Sequence, residues 1–258
     1  MVIESTQNPR IKHLIKLQEK ARERKKQALF LVEGIQENEL ALSAGFQAVE
    51  FYVCSSIFKG RLDLSQFSQF ELSPALFEKL AYRKTTGGII GVYQTKNLSL
   101  EAIQLPADPL IVVLEAVEKP GNLGAVLRTC DGAGVDLLVI CDPLVDFYNP
   151  NVIRSSVGTV FTNQWIAVEN ERLLPWLKEK NIQIISTYLS ETTQSLYAMD
   201  FKKASAIVLG TEATGLSAFW KDHADALVKI PMHGKVDSLN VSNAAAICIY
   251  EAVRQKSE

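Results

Sequence analysis

The sequence has no apolar run approaching the ~20 residues that a membrane-spanning helix requires. Its opening stretch, Met1 to Arg10, is polar and lacks the apolar core of a secretory signal, so the expectation is a cytoplasmic protein with no membrane partner. Cysteine is scarce. Cys54, Cys130, Cys141 and Cys248 form neither a C-x-x-C pair nor a metal spacing, and the last three sit among apolar or small residues as expected buried thiols. His13, His223 and His233 have no second His or Cys at ligand spacing, so no metal centre is expected. The chain has no internal repeat and no low-complexity tract, which excludes solenoid architectures. Its formal net charge is only −2, which taken whole argues against a nucleic-acid partner.

The distribution of charge argues otherwise. Residues 1–100 carry 14 Lys and Arg against 10 Asp and Glu, and within 1–26 the count is 8 against 3. A basic N-terminal arm on a mildly acidic body suits a polyanion handled by the first part of the chain. A solvated amphipathic helix would give the same count. With 258 residues, 47% hydrophobic and 22% charged, the chain has the composition of a globular protein of one large domain or two ordinary ones.

Asn97-Leu98-Ser99 and Pro106-Ala107-Asp108-Pro109 mark a boundary, giving domains at 1–98 and 107–258. The first opens with a basic amphipathic helix through Ile11, Leu14, Ile15 and Leu17. Strands follow at 28–32, 51–54 and 88–93, with a helix ending at Gly45 and another starting at Ser73-Pro74, an N-cap before a proline. In the second, apolar strands at 110–114, 135–140, 165–168, 182–187 and 204–210 alternate with helices at 122–133, 150–159, 173–180 and 216–222. That alternation predicts an α/β fold with a parallel sheet covered on both faces, preceded by a smaller α/β domain. Ligands of such sheets bind at the carboxyl ends of the strands.

Three polar segments stand at those ends. In the first, Glu115-Ala116-Val117-Glu118-Lys119-Pro120-Gly121-Asn122-Leu123-Gly124-Ala125-Val126-Leu127-Arg128, Asn122 is a candidate N-cap and Arg128 shares a helix face with Gly124. A guanidinium above a glycine-floored opening suits a phosphate. In the second, Gly210 and Gly215 bracket Glu212; this is not the dinucleotide-binding G-x-G-x-x-G. The third, Ile230-Pro231-Met232-His233-Gly234-Lys235-Val236-Asp237-Ser238-Leu239-Asn240-Val241-Ser242, lays open main-chain polar groups and ends at an Ala-rich helix with Ser242 as its expected N-cap.

Together these segments resemble the three motifs of the SpoU (TrmH) family of RNA ribose 2′-O-methyltransferases: N-x-G-x-x-x-R, G-x-E-x-x-G, and I-P-M-x-G-x-x-S-L-N-V-S-x-A with one additional residue at Val236 or Asp237. They cover residues 110–254. Asn8 to Lys12, Phe30 to Gly34 and Thr85 to Val92 resemble the N-terminal substrate-binding domain of members acting on ribosomal RNA, although Thr85-Thr86-Gly87-Gly88 stands where T-P-Q-G is usual. The resemblance implies a deep trefoil knot (a SPOUT-like fold) and S-adenosyl-L-methionine held in it by Leu209, Gly210, Gly215, Ile230, Met232 and Leu239. It also implies a homodimer with the helix from Asn243 to Arg254 at the interface.

The implied reaction is methyl transfer to a ribose 2′-hydroxyl of RNA, with ribosomal RNA favoured. The resemblance gives Arg128 to the hydroxyl. An arginine, with a pKa above ~12, is a poor base, so orienting a phosphate and stabilising the developing alkoxide suit it better. Asn122 and Glu212 would hold Arg128 and the loops, and Ser238 and Asn240 would shape the pocket or touch the ribose. Arg10, Lys12, Lys25, Lys26, Arg83, Lys84 and Arg154 are the candidate RNA-backbone contacts. A tRNA 2′-O-methyltransferase, a non-catalytic RNA-binding protein of the same fold and a nucleotide-using small-molecule enzyme stand as alternatives.

Overall fold

The computed structural model describes residues 2–81, 87–96, 98–190, 193–210 and 215–257, and these divide into two compact units.

The first unit takes residues 1–97 and 146–162. Its strands are β1 (Val2–Ile3), β2 (Leu29–Glu33), β3 (Ala48–Val53), β4 (Ser68–Leu72) and β5 (Ile89–Gln94), and its helices are α1 (Pro9–Glu19), α2 (Ala21–Gln27), α3 (Ile35–Ser43) and α4 (Pro74–Leu80). The sheet order is β1-β4-β3-β5-β2, with β5 antiparallel to both β2 and β3. Asn8 caps α1 by accepting from the Arg10 amide at 2.9 Å, and Pro9 supplies a first helical residue whose missing N–H costs nothing. Ile11, Leu14 and Leu17 turn inward, as their spacing predicts.

The basic arm is not one helix. Lys20, at φ −117°, breaks it into α1 and α2. Arg24, counted with the basic face, is instead buried: it donates to the Leu17 carbonyl at 2.7 Å and to the Asp146 carboxylate at 2.7 Å. It thereby satisfies carbonyls that α1 leaves open at its C-terminus. Asp146 begins the excursion 146–162, which returns to this unit and carries α6 (Pro150–Ser155, numbered in chain order). A helix over 150–159 was expected. It ends at Ser155, because Val157 and Gly158 take φ of 56° and 81°. At Gly158 a side chain would also strike Leu40, at 2.8 Å. Tyr148 and Phe161 of the excursion stack on Phe30, with ring centroids 4.3 and 6.0 Å away.

The second unit takes residues 98–145 and 163–258. Its strands are β6 (Leu110–Glu115), β7 (Leu137–Cys141), β8 (Trp165–Val168), β9 (Gln183–Thr187), β10 (Gln194–Ser195), β11 (Ser205–Leu209) and β12 (Ala226–Lys229). They form one sheet in the order β10-β12-β9-β11-β6-β7-β8, with all pairs parallel. The helices are α5 (Pro120–Ala133), α7 (Asn170–Glu179), α8 (Ala218–Asp222) and α9 (Val241–Lys256). β6, β7 and β11 are buried along their whole length, as continuous apolar runs require. The short strands β10 and β12 were not expected.

Asn122 was expected to cap α5. The helix starts earlier: Lys119 holds the cap position, Pro120 is the first helical residue, and Asn122 lies inside the first turn. Gly134 ends α5 at φ 68°, a left-handed cap that glycine adopts without strain. α9 is capped by Asn240 rather than Ser242, the Asn240 side chain accepting from the Ser242 amide at 2.9 Å. No helix among the described residues is long and apolar enough to cross a membrane.

Candidate cofactor and catalytic site

Three parts of the chain at the carboxyl ends of adjacent parallel strands line a cavity of about 410 Å³: Thr187 to Leu189 at β9, Leu209, Gly210, Gly215 and Leu216 at and beyond β11, and residues from Val228 to Val241 at and beyond β12. Its size lies within the ~300–1,000 Å³ of small-molecule sites. Leu209, Gly210, Gly215, Ile230, Met232 and Leu239, the six residues expected around the cofactor, all line it, together with Ser238. The sheet order makes this possible, since β12, β9 and β11 are consecutive neighbours.

The wall at Gly210 is main chain against main chain. A Cβ there would stand 2.3 Å from the carbonyl carbon and oxygen of Gly215, so the backbones approach as only a glycine at 210 permits. Gly215 itself takes φ 68°. Lys229 also lines the cavity, but its ammonium donates to the Ser190 carbonyl at 2.9 Å. Ser238 donates to Asp237 at 3.0 Å on an exposed stretch. The surface is therefore mostly apolar side chain and open backbone. It suits a neutral ring and a flexible chain better than a polyphosphate, which would call for several cations.

The structure joins two further candidates. Asn240 donates through Nδ2 to Asn122 Oδ1 at 3.3 Å, linking the start of α5 to the cap of α9 across 118 positions. Asn240 Oδ1 meanwhile accepts from the amide and hydroxyl of Ser242. Arg128 stands exposed on α5, two helical turns below Asn122, and Gly124 is buried on the same helix. Glu212 lies outside the described residues, as do Arg83 and Lys84.

The other basic candidates lie in the first unit. Lys12, Lys25 and Lys26 are exposed. Arg10 is partly engaged, donating to Glu50 at 3.1 Å and lying 3.9 Å over the Phe70 ring. Arg154 is half-buried, donates to Asn151, and lines a second cavity of about 370 Å³ with residues of α1 and α3. It therefore belongs with the first unit rather than the second.

A buried polar cluster beside the second segment was not anticipated. Glu115 ends β6 at 5% exposure and accepts from Asn170, from the Ser217 amide and from the Ser217 hydroxyl. The one hint in the sequence is a carboxylate closing an otherwise apolar strand. Asp142 also accepts from Asn170; burial first, then the neighbouring Glu169, raises its pKa. All four cysteines are buried, and burial pushes the Cys130 and Cys248 thiols up to about 12, so neither is a nucleophile at neutral pH.

Residues 109–250 match the model of the SpoU rRNA methylase family, and residues 8–91 match an MRM3-like substrate binding domain. Among curated proteins the chain is similar to the 23S rRNA (guanosine-2′-O-)-methyltransferase RlmB of Ralstonia nicotianae, 37% identical over 66% of this chain and 70% of that one. Among solved structures it is similar to an RNA 2′-O ribose methyltransferase, with a TM-score of 0.88 and 37% identity over the whole of both chains. The SpoU methyltransferase AviRb from Streptomyces viridochromogenes, solved in complex with the cofactor AdoMet, gives a TM-score of 0.88 at 26% identity over 98% of this chain and 99% of that one.

Proposed function

The chain belongs to the SpoU rRNA methylase family, and we propose that it transfers a methyl group from S-adenosylmethionine to a ribose 2′-hydroxyl of ribosomal RNA, using the cavity at the ends of β9, β11 and β12. The observation that carries this reading is the convergence on that one cavity of Leu209, Gly210, Gly215, Ile230, Met232 and Leu239, from two separate motif segments. The residues present fit the cofactor. Gly210 and Gly215 bring main chain rather than side chain to the cavity wall, where its polar groups can meet a ligand's edge, and apolar walls suit its adenine ring.

Bound there, the cofactor supplies a methyl group already activated by its sulfonium. What remains for the protein is to place the hydroxyl and manage its proton. Arg128 offers a planar fork of donors and no acceptor, so it holds the neighbouring phosphate and stabilises negative charge growing on the 2′-oxygen. The proton passes to a phosphate oxygen or water. The link between Asn240 and Asn122 sets the start of the Arg128 helix against the third segment. Glu212 and Ser238 complete the set, Glu212 orienting Arg128 and Ser238 facing the ribose. The exposed Lys12, Lys25 and Lys26 of the first unit give backbone contacts to the RNA, assisted by Arg10 and Arg154. RNA rather than DNA follows from the reaction, because only RNA offers the 2′-hydroxyl.

Two structural proposals accompany this reading. The return of the chain from β12, beyond β9, to pack α9 against α5 supports a deep trefoil knot around the cavity. The small-residue face of α9 and its half-exposed Tyr250 support a homodimer through that helix. The catalytic assignment is tested by Arg128→Ala. Methyl transfer to ribosomal RNA should fall roughly 10²- to 10³-fold, the cost of removing a charge-stabilising group, while calorimetric affinity for S-adenosylmethionine stays unchanged. Undiminished transfer would remove Arg128 from the mechanism.

A further inference from the structure

We infer that Glu115 is a positioning residue for methyl transfer, holding the segment that follows Gly215 against the end of β6; this rests on the function proposed above. Glu115 and Ser217 are 102 positions apart, yet the Glu115 carboxylate accepts the Ser217 amide at 2.8 Å on Oε2 and the Ser217 hydroxyl at 2.6 Å on Oε1. Oε1 also accepts from Asn170 Nδ2 at 3.2 Å. The orientation of Asn170 is set by α8, because the Trp220 indole N–H can only donate and its partner is Asn170 Oδ1, at 2.6 Å. The Asn170 amide nitrogen must therefore face the carboxylates of Glu115 and Asp142. Three donors converge on one buried group, and its two carboxylate oxygens accept all three.

The location gives the cluster its consequence. Ser217 follows Gly215 by two residues, and the Gly215 backbone closes on Gly210. Fixing Ser217 fixes the chain that brings Gly215 and Leu216 to the cavity wall. Glu115 opens the segment that holds Asn122 and Arg128. One carboxylate thus sets the register between the two segments whose side chains must meet the substrate together, and misplacements of about 1 Å in such a constellation are costly.

Glu115→Gln replaces one acceptor with an NH₂, which then faces the Ser217 amide on one side or the Asn170 Nδ2 on the other, neither of which can accept. Two readouts test it. One is amide hydrogen exchange at Ser217, which should speed up at least tenfold. The other is the single-turnover rate of methyl transfer at saturating S-adenosylmethionine and RNA, which should fall at least tenfold per bound cofactor. A merely structural role would change the folded fraction and leave that rate constant alone. Ser217→Ala, which keeps the backbone N–H and folds independently of any change at Glu115, should show a smaller loss, and Ser217→Thr should recover it. An unchanged rate or an unchanged exchange in Glu115→Gln would overturn the inference. Wild-type protein that transfers no methyl group, yet shows slow Ser217 exchange that Glu115→Gln accelerates, would contradict the proposed function and uphold the anchor.

Discussion

Gly210 and Gly215 meet backbone to backbone, and a single methyl group added to Gly210 has nowhere to go. Overpacking of this kind costs about 1–3 kcal/mol. Because the displaced atoms are the cavity wall, Gly210→Ala should weaken S-adenosylmethionine binding at least tenfold by calorimetry. Unchanged affinity would place the cofactor elsewhere. The two glycines were readable as a motif; their contact was not, since spacing along the chain says nothing of which backbones touch. Arg24 shows the same limit from the other side. A count of charges put it on the basic arm, whereas the fold buries its guanidinium on Leu17, Gln18 and Asp146. Composition gives a residue's charge and leaves its position to tertiary contacts. Asn122 was read as a helix cap because Asn favours that place. Pro120, whose fixed φ suits the first helical position, starts the helix two residues earlier.

Among the elements, sequence reading placed β6, β7, β9 and β11 well because their hydrophobicity is continuous, and it placed β8 at its observed bounds although Ala167 there is exposed. β12 was missed because Ala226–Lys229 is short, mostly half-buried and ends in a charge. Its absence hid the reason why Ile230 and Met232 reach the cavity. The entry into α9 depends on Asn240, which serves both as cap, through Oδ1, and as link to Asn122, through Nδ2. Asn240→Ala should cost about 1 kcal/mol for the lost cap, a fall in melting temperature of roughly 2–4 °C in a chain of this size. Asn240→Asp keeps the acceptor and loses the donor, so it should restore the melting temperature while methyl transfer stays impaired. Recovery of both by Asp would show that the link to Asn122 contributes nothing.

For the molecule as a whole, the order of two α/β units was visible in the alternation of apolar runs and in the prolines near 106–109. The excursion of 146–162 back to the first unit was not, because it is held by contacts such as Asp146 with Arg24, 122 positions away. The site was readable in outline for a different reason: its three motifs each end a strand of one parallel sheet, and such ends face the same side. What the motifs could not reveal is the buried carboxylate of Glu115, which carries no motif of its own. The claim that unites these parts is that a methyl group passes from the cavity to a ribose oxygen. The most direct measurement uses S-adenosylmethionine with a labelled methyl group and undermethylated ribosomal RNA, followed by complete alkaline hydrolysis. Alkali cleaves RNA through the free 2′-hydroxyl, so a 2′-O-methylated nucleotide survives as a dinucleotide. The account predicts label in an alkali-stable dinucleotide. Label released in mononucleotides, which marks methylation of a base, or no label in RNA at all, would contradict it.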